Sequence, residues 1–155
     1  VVGEGRYGRK LEQLAQRRGM EDFVTFLGRV RREDMRDLVA AADIVAMPAR
    51  TRGGGLDVEG LGIVYLEAQA CGVPVIAGNS GGAPETVTAE SGIVVDGTDA
   101  NAVAGAVIDL LRDPERRAAM GAAGREMVGR RFSWQVLGAR LAGLLQPEAG
   151  PGGAG

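Results

Sequence analysis

Histidine is absent from this chain of 155 residues, and cysteine occurs once, as Cys71. A lone thiol cannot close an internal disulfide, and without histidine it has no partner for a zinc site or a Cys-His nucleophile pair. Such sparing use of cysteine fits a reducing, cytoplasmic compartment. Long apolar runs are also missing. The longest, Leu38 to Ala49, is broken by Asp43 and Pro48 and is too short to span a membrane. Neither charge sign dominates: the formal net charge is -2 with acids and bases interspersed, so a footprint for DNA or RNA is lacking and no nucleic-acid partner is expected. The opening Val1-Val2-Gly3 has no charged leader or signal peptide and reads as the end of a buried strand, which predicts a first strand truncated at this point.

What is present suits a globular domain with a single core: 45% of residues are hydrophobic and 25% charged. Short apolar runs alternate with amphipathic stretches, the order that a parallel sheet with crossover helices requires. Strands are predicted at Val1–Val2, Val24–Leu27, Ile44–Met47, Val73–Ala77 and Gly92–Val95, with helices over Arg9–Arg18 and Arg32–Ala42. From Asn101 onward the spacing is helical only. Asp113-Pro114 separates two helices, and Ser133 opens a third that carries Trp134, Leu137, Leu141, Leu144 and Leu145. The expectation is an α/β, Rossmann-like parallel sheet flanked by helices over residues 1–146, with a helical C-terminal end and a disordered tail over 147–155.

One connection is out of proportion. Pro48 to Leu61 holds Arg50, Arg52, three successive glycines (Gly53 to Gly55), Asp57 and Glu59, and a loop of that length and polarity in a tight α/β pattern points to function. It feeds a helix starting near Gly62 and closing at Gly72, with Pro74 just beyond. Free amides at Leu61, Gly62 and Ile63 would face out of that helix tip, where the dipole favours anions, so the segment reads as a diphosphate seat. Glu67, over a turn into the helix, suits a ribose, since an ionised carboxylate accepts from both hydroxyls; Glu59, just ahead of the helix, falls near the other end of the ligand. The plainer reading makes both acids solvated charges. Arg50 and Arg52 are either solvated or close over a phosphate. Gly81, Gly82 and Glu85 either build a turn or border the sugar pocket. Cys71 reads as a small buried hydrophobe, and Trp134 as a helix anchor.

Glu59-Gly60-Leu61-Gly62, the two glutamates with seven residues between them, and Ser80-Gly81-Gly82-Ala83-Pro84-Glu85 after the next strand together resemble the large group 1 family of retaining glycosyltransferases, which have two Rossmann-like domains in the GT-B arrangement. Gly3-Glu4-Gly5, Val24 to Gly28, Ala42 to Val45 and Phe132-Ser133-Trp134 agree with it. Met47 to Gly60 is similar to a branch of actinobacterial mannosyltransferases that extend phosphatidylinositol mannosides. The resemblance implies the donor-binding half of a metal-independent enzyme using GDP-mannose as donor and no cofactor, and a glycolipid acceptor held by a domain not in this chain. It also implies peripheral association with the inner face of the plasma membrane. Residue by residue, it implies Glu59 as the catalytic contact to donor mannose and Gly60, Leu61, Gly62, Ile63 and Val64 around sugar and diphosphate. Glu67 would hold the ribose, Val30 and Arg31 the base, and no residue a metal. The family's basic diphosphate-gripping pair would lie before Val1. Alternatives are a UDP-sugar-dependent transferase or epimerase of the same architecture, or a non-catalytic nucleotide-binding module.

Overall fold

A computed structural model describes residues 1–145; the tail expected over 147–155 lies outside the described residues. Two compact units are distinguished, Val1–Leu38 and Val39 onward, and the division falls inside a helix.

The second unit is built on a parallel sheet of β1 (Val45–Met47), β2 (Val75–Gly78) and β3 (Gly92–Val95), in the order β1-β2-β3, with Val45 opposite Val75 and Val75 opposite Gly92. All three match expected strands to within two residues. β2 is central and buried along its whole length. Because successive side chains point to opposite faces, Val75 and Ala77 join a core with Tyr65, Ala68 and Ala83, while Ile76 joins Ala106, Leu110 and Met120 on the other side. Burial of Ile76 and Leu110, both 0% exposed, contributes about 1.5–3 kcal/mol each.

The helices have sequence-readable ends. With α1 (Gly8–Arg17) and α2 (Arg32–Ala40) lying before the sheet, α3 (Ile63–Ala70) follows β1, and α4 (Ala100–Arg112), α5 (Pro114–Arg131) and α6 (Trp134–Leu145) follow β3. Asp99 caps α4 through Asn101 N at 2.8 Å and Ala102 N at 3.1 Å; Asp113 caps α5 through Arg116 N at 2.9 Å, with Pro114 in the first turn. Helix α5 approaches the end of α3 closely at Gly121, where a Cβ would sit 2.0 Å from Gly72 O. Gln69 Nε2 donates to Tyr65 O at 3.0 Å and Thr86 O at 2.8 Å, tying α3 to the short 3-10 turn Ala83–Thr86.

Two expectations need correction. Neither Val1–Val2 nor Val24–Leu27 forms a strand: in the first unit only one bridge, Val2 with Gly28, is made, through Gly3 N to Gly28 O at 2.8 Å and Leu27 N to Val1 O at 2.9 Å. The apolar residues there lack cover; Phe23 is 80% exposed, and Leu11, Leu14, Val24 and Phe26 line an open cavity of about 280 Å³. Trp134 anchors nothing among the described residues. It is 87% exposed, and α6 buries no residue because its leucine face (Leu141, Leu144, Leu145) is turned to solvent.

Candidate functional site

All three parallel strands end at one edge of the sheet, and the backbone that follows them there is packed too tightly for side chains. A Cβ on Gly78, the last residue of β2, would lie 1.8 Å from Ala49 O; one on Gly97, after β3, would lie 2.4 Å from the same oxygen. Glycine at these positions lets the segments after β1, β2 and β3 touch through bare main chain. The carboxyl edge of an open parallel sheet is where such folds bind ligands.

The segment holding Glu59 is fixed by the turn after β2. Gly82 N donates to Glu59 O at 3.2 Å and Gly60 O at 3.1 Å, and Cβ atoms on Gly81 and Gly82 would fall 1.8 Å from Glu59 O and 2.3 Å from Gly60 O. Ser80, fully buried, accepts from Glu59 N at 3.2 Å and shares a hydrogen bond with Thr51 Oγ1 at 3.0 Å. Gly81 and Gly82 are thus structural supports of the Glu59 loop, whereas Glu85 is exposed in its 3-10 turn.

Helix α3 starts one residue after Gly62, which is left-handed at φ 76° and ψ 54°. Any side chain there would strike the Tyr65 ring, 2.4 Å from Cδ2 and Cε2. Tyr65 is 0% exposed and its hydroxyl donates to Met47 O, joining the end of β1 to the first turn of α3. Burial pushes that hydroxyl's pKa up from 10.0 and the nearby Glu59 carboxylate adds to the rise, while hydrogen bonding with the backbone at Gly78 and Ala49 opposes it. The group is therefore a neutral donor at physiological pH.

Above this support, the amides of Leu61, Gly62, Ile63 and Val64 make no hydrogen bond to any described residue. They are the unsatisfied donors of a helix N-terminus, free for an anion. Leu61 and Ile63 are 40% and 64% exposed, Val64 and Glu59 half-buried, Gly60 exposed; Glu67 is exposed in the second turn of α3. In the first unit, Val30 is half-buried and the Arg31 guanidinium is held at the start of α2, by Asp34 at 2.7 and 3.0 Å and by Glu33 at 2.6 Å. Among the described residues, no three Asp, Glu or Cys side chains converge as a metal site requires, and no helix is long and apolar enough to cross a membrane.

Tyr65, Thr51, Gly78 and Gly97 carry no expected role in the sequence, and Ser80 stands there only as part of the motif that it opens. A tyrosine three residues beyond a helix-opening glycine was the available signal for the first; nothing local marks the others, whose partners lie 21 to 29 residues away in the case of Ser80.

The sequence profile described as "Glycosyl transferases group 1" matches residues 1–127. A GDP-mannose-dependent monoacylated alpha-(1-6)-phosphatidylinositol monomannoside mannosyltransferase of Corynebacterium glutamicum is 62% identical over 148 residues, covering 96% of this chain and 38% of its own length. Among solved structures, sucrose-phosphate synthase from Thermosynechococcus elongatus superposes with a TM-score of 0.80 at 34% identity, over 92% of this chain and 36% of that one. Anabaena HepE in complex with UDP-glucose does so at 0.78 and 29%, over 93% and 39%. The chain thus spans under two fifths of the length of each of these three proteins, and it belongs to the glycosyl transferases group 1 family.

Proposed function

We propose that this chain is the donor-binding part of a GDP-mannose-dependent transferase that adds mannose to a phosphatidylinositol mannoside at the inner face of the plasma membrane. The observation that carries the reading is the row of four amides at the N-terminus of α3 that bond to no described residue, seated on Tyr65 at the carboxyl edge of the sheet with Glu59 beside it. The name of the Corynebacterium glutamicum relative supports the choice of donor and acceptor.

In this reading the amides of Leu61, Gly62, Ile63 and Val64 receive the donor's diphosphate and sugar, and close approach is allowed by Gly60 and Gly62. Glu59 accepts from hydroxyls of the mannose and orients its anomeric carbon; Glu67 accepts from the ribose hydroxyls; Val30 and Arg31 line the base. The acceptor oxygen bonds to the anomeric carbon on the face from which the diphosphate oxygen departs, and its proton passes to that departing oxygen. No enzyme nucleophile is consumed. Charge grows on the leaving group, so pre-oriented N–H donors lower the barrier there.

A UDP-sugar donor is the competing reading, favoured by the UDP-glucose complex of the Anabaena neighbour. Titration of the full-length protein separates them. GDP is expected to bind with at least tenfold higher affinity than UDP, about 1.4 kcal/mol, and Glu67→Gln to weaken GDP by a further tenfold or more. Preference for UDP would overturn the donor assignment, and unchanged affinity in Glu67→Gln the ribose assignment.

A further inference from the structure

The excursion between β1 and the Glu59 loop is an ordered projection with an apolar tip. Arg52 and Asp57 pair across its base, through Arg52 N to Asp57 O at 2.8 Å and Asp57 N to Arg52 O at 3.2 Å. Between them Gly53, Gly54 and Gly55 all have positive φ (58°, 64° and 100°), a path that side-chain-bearing residues rarely follow. Leu56, at the end of that path, is 93% exposed and Val58 49%. The neck is clamped: buried Ser80 holds Thr51 on the way out and Glu59 on the way back. Arg50 and Arg52 are exposed beside this neck, and neither forms an ion pair with a described residue.

A leucine that no described residue covers, held out by three left-handed glycines and a side-chain clamp, gains by leaving water, and the two guanidinium groups at its base, without an ion pair among the described residues, complement phosphodiesters. We propose that Thr51–Val58 is a lipid-contacting hairpin, in which Leu56 enters the acyl boundary of an anionic phospholipid surface and Arg50 and Arg52 meet headgroup phosphates. This deepens the function proposed above, on which only the choice of lipid as occupant rests. It sets the donor seat next to the surface where a glycolipid acceptor resides, since the same loop continues into Glu59.

The test is partition of the full-length protein onto vesicles of phosphatidylcholine alone and of equal parts phosphatidylcholine and phosphatidylinositol, with GDP titration in parallel. Leu56→Ser should lower partition on both vesicle types about tenfold and leave GDP affinity unchanged. Arg50→Gln with Arg52→Gln should lower it on the phosphatidylinositol vesicles alone, about fivefold per arginine. Undiminished partition of Leu56→Ser overturns the proposal, as does a lower melting temperature for that variant without lost partition, which would mean that the tip packs on another part of the protein. Lost GDP affinity in the arginine pair would assign both groups to the donor diphosphate and overturn their lipid role. Absence of GDP binding in the unaltered protein would sink the nucleotide-sugar reading while leaving the vesicle result to stand or fall separately.

Discussion

Replacing Gly82 with alanine adds one carbon where the fold has left no room for it. At φ -82° and ψ 0° the residue has ordinary right-handed backbone, so alanine meets no conformational penalty and whatever the variant loses comes from contact. The new Cβ would sit 2.3 Å from Gly60 O, where ordinary contact begins at 3.4 Å, so one segment must retreat by about 1 Å. Overpacking of this kind costs about 1–3 kcal/mol, and the two hydrogen bonds from Gly82 N to Glu59 O and Gly60 O are strained with it, for a total of about 2–4 kcal/mol. Urea unfolding of the full-length protein should show a midpoint lowered by about 1–2 M. The segment that retreats carries Glu59, and a displacement of ~1 Å at a positioned group costs about a hundredfold in transfer rate. Gly97→Ala is the control. Its Cβ would lie 2.4 Å from Ala49 O and 2.5 Å from Pro48 O, crowding the same edge of the sheet without touching Glu59 or Gly60. Comparable destabilisation with a much smaller rate loss is expected of it. Equal rate losses in the two variants, or wild-type rate and stability in Gly82→Ala, would refute the claim that the turn after β2 sets the position of Glu59.

Tyr65→Phe removes one of two hydrogen bonds to the Met47 carbonyl, which keeps the one from Ala49 N at 2.7 Å, and should cost about 1 kcal/mol at neutral pH. The same substitution removes an alkaline dependence. The folded-state pKa of Tyr65 is raised, so its stabilisation is complete below the unfolded value of 10.0 and is lost as pH climbs above it, at up to about 1.4 kcal/mol per pH unit, and urea melts at rising pH should show that decline only when tyrosine is present. Asp113→Ala should lower stability by about 1 kcal/mol through the lost cap on Arg116 N, and Asp113→Asn should retain most of it, as read from thermal melts.

The second unit was legible in the sequence because its signals are local. Val75 to Ala77 is a short apolar run between Pro74 and a glycine, Asp113-Pro114 stands where one helix gives way to the next, and a carboxylate-glycine segment ahead of an apolar helix announces its N-terminus. Each depends on residues within a turn or two. The first unit shows the limit of that reasoning. Val24 to Leu27 has the composition of a strand, but a strand exists only through its partners, and the bridge to Val2 supplies two hydrogen bonds. Trp134 fails likewise: its size predicts burial, yet burial needs a facing surface, and none of the described residues provides one.

The site divides along the same line, and the division says what kind of site it is. Glu59, Gly62 and Glu67 stand out because their chemistry is carried by side-chain type or by the lack of a side chain. Gly81 and Gly82 are legible as turn glycines, but the partners of the positioning parts are not: Gly78 and Gly97 converging on Ala49, Gly81 and Gly82 on Glu59 and Gly60, and Ser80 bridging Thr51 to Glu59. All of these contacts but the Ser80–Thr51 hydroxyl pair involve main chain, and they reach across 21 to 48 residues of sequence, so no local side-chain pattern encodes them. The proposed seat should tolerate exchange of the exposed side chains Leu61 and Ile63, since its amides are unchanged by it. Little is tolerated at the glycines. In a seat made of backbone N–H groups, function is written mainly in where side chains are forbidden, and substitutions at Gly62, Gly81 and Gly82 should be more damaging than those at Leu61 or Ile63.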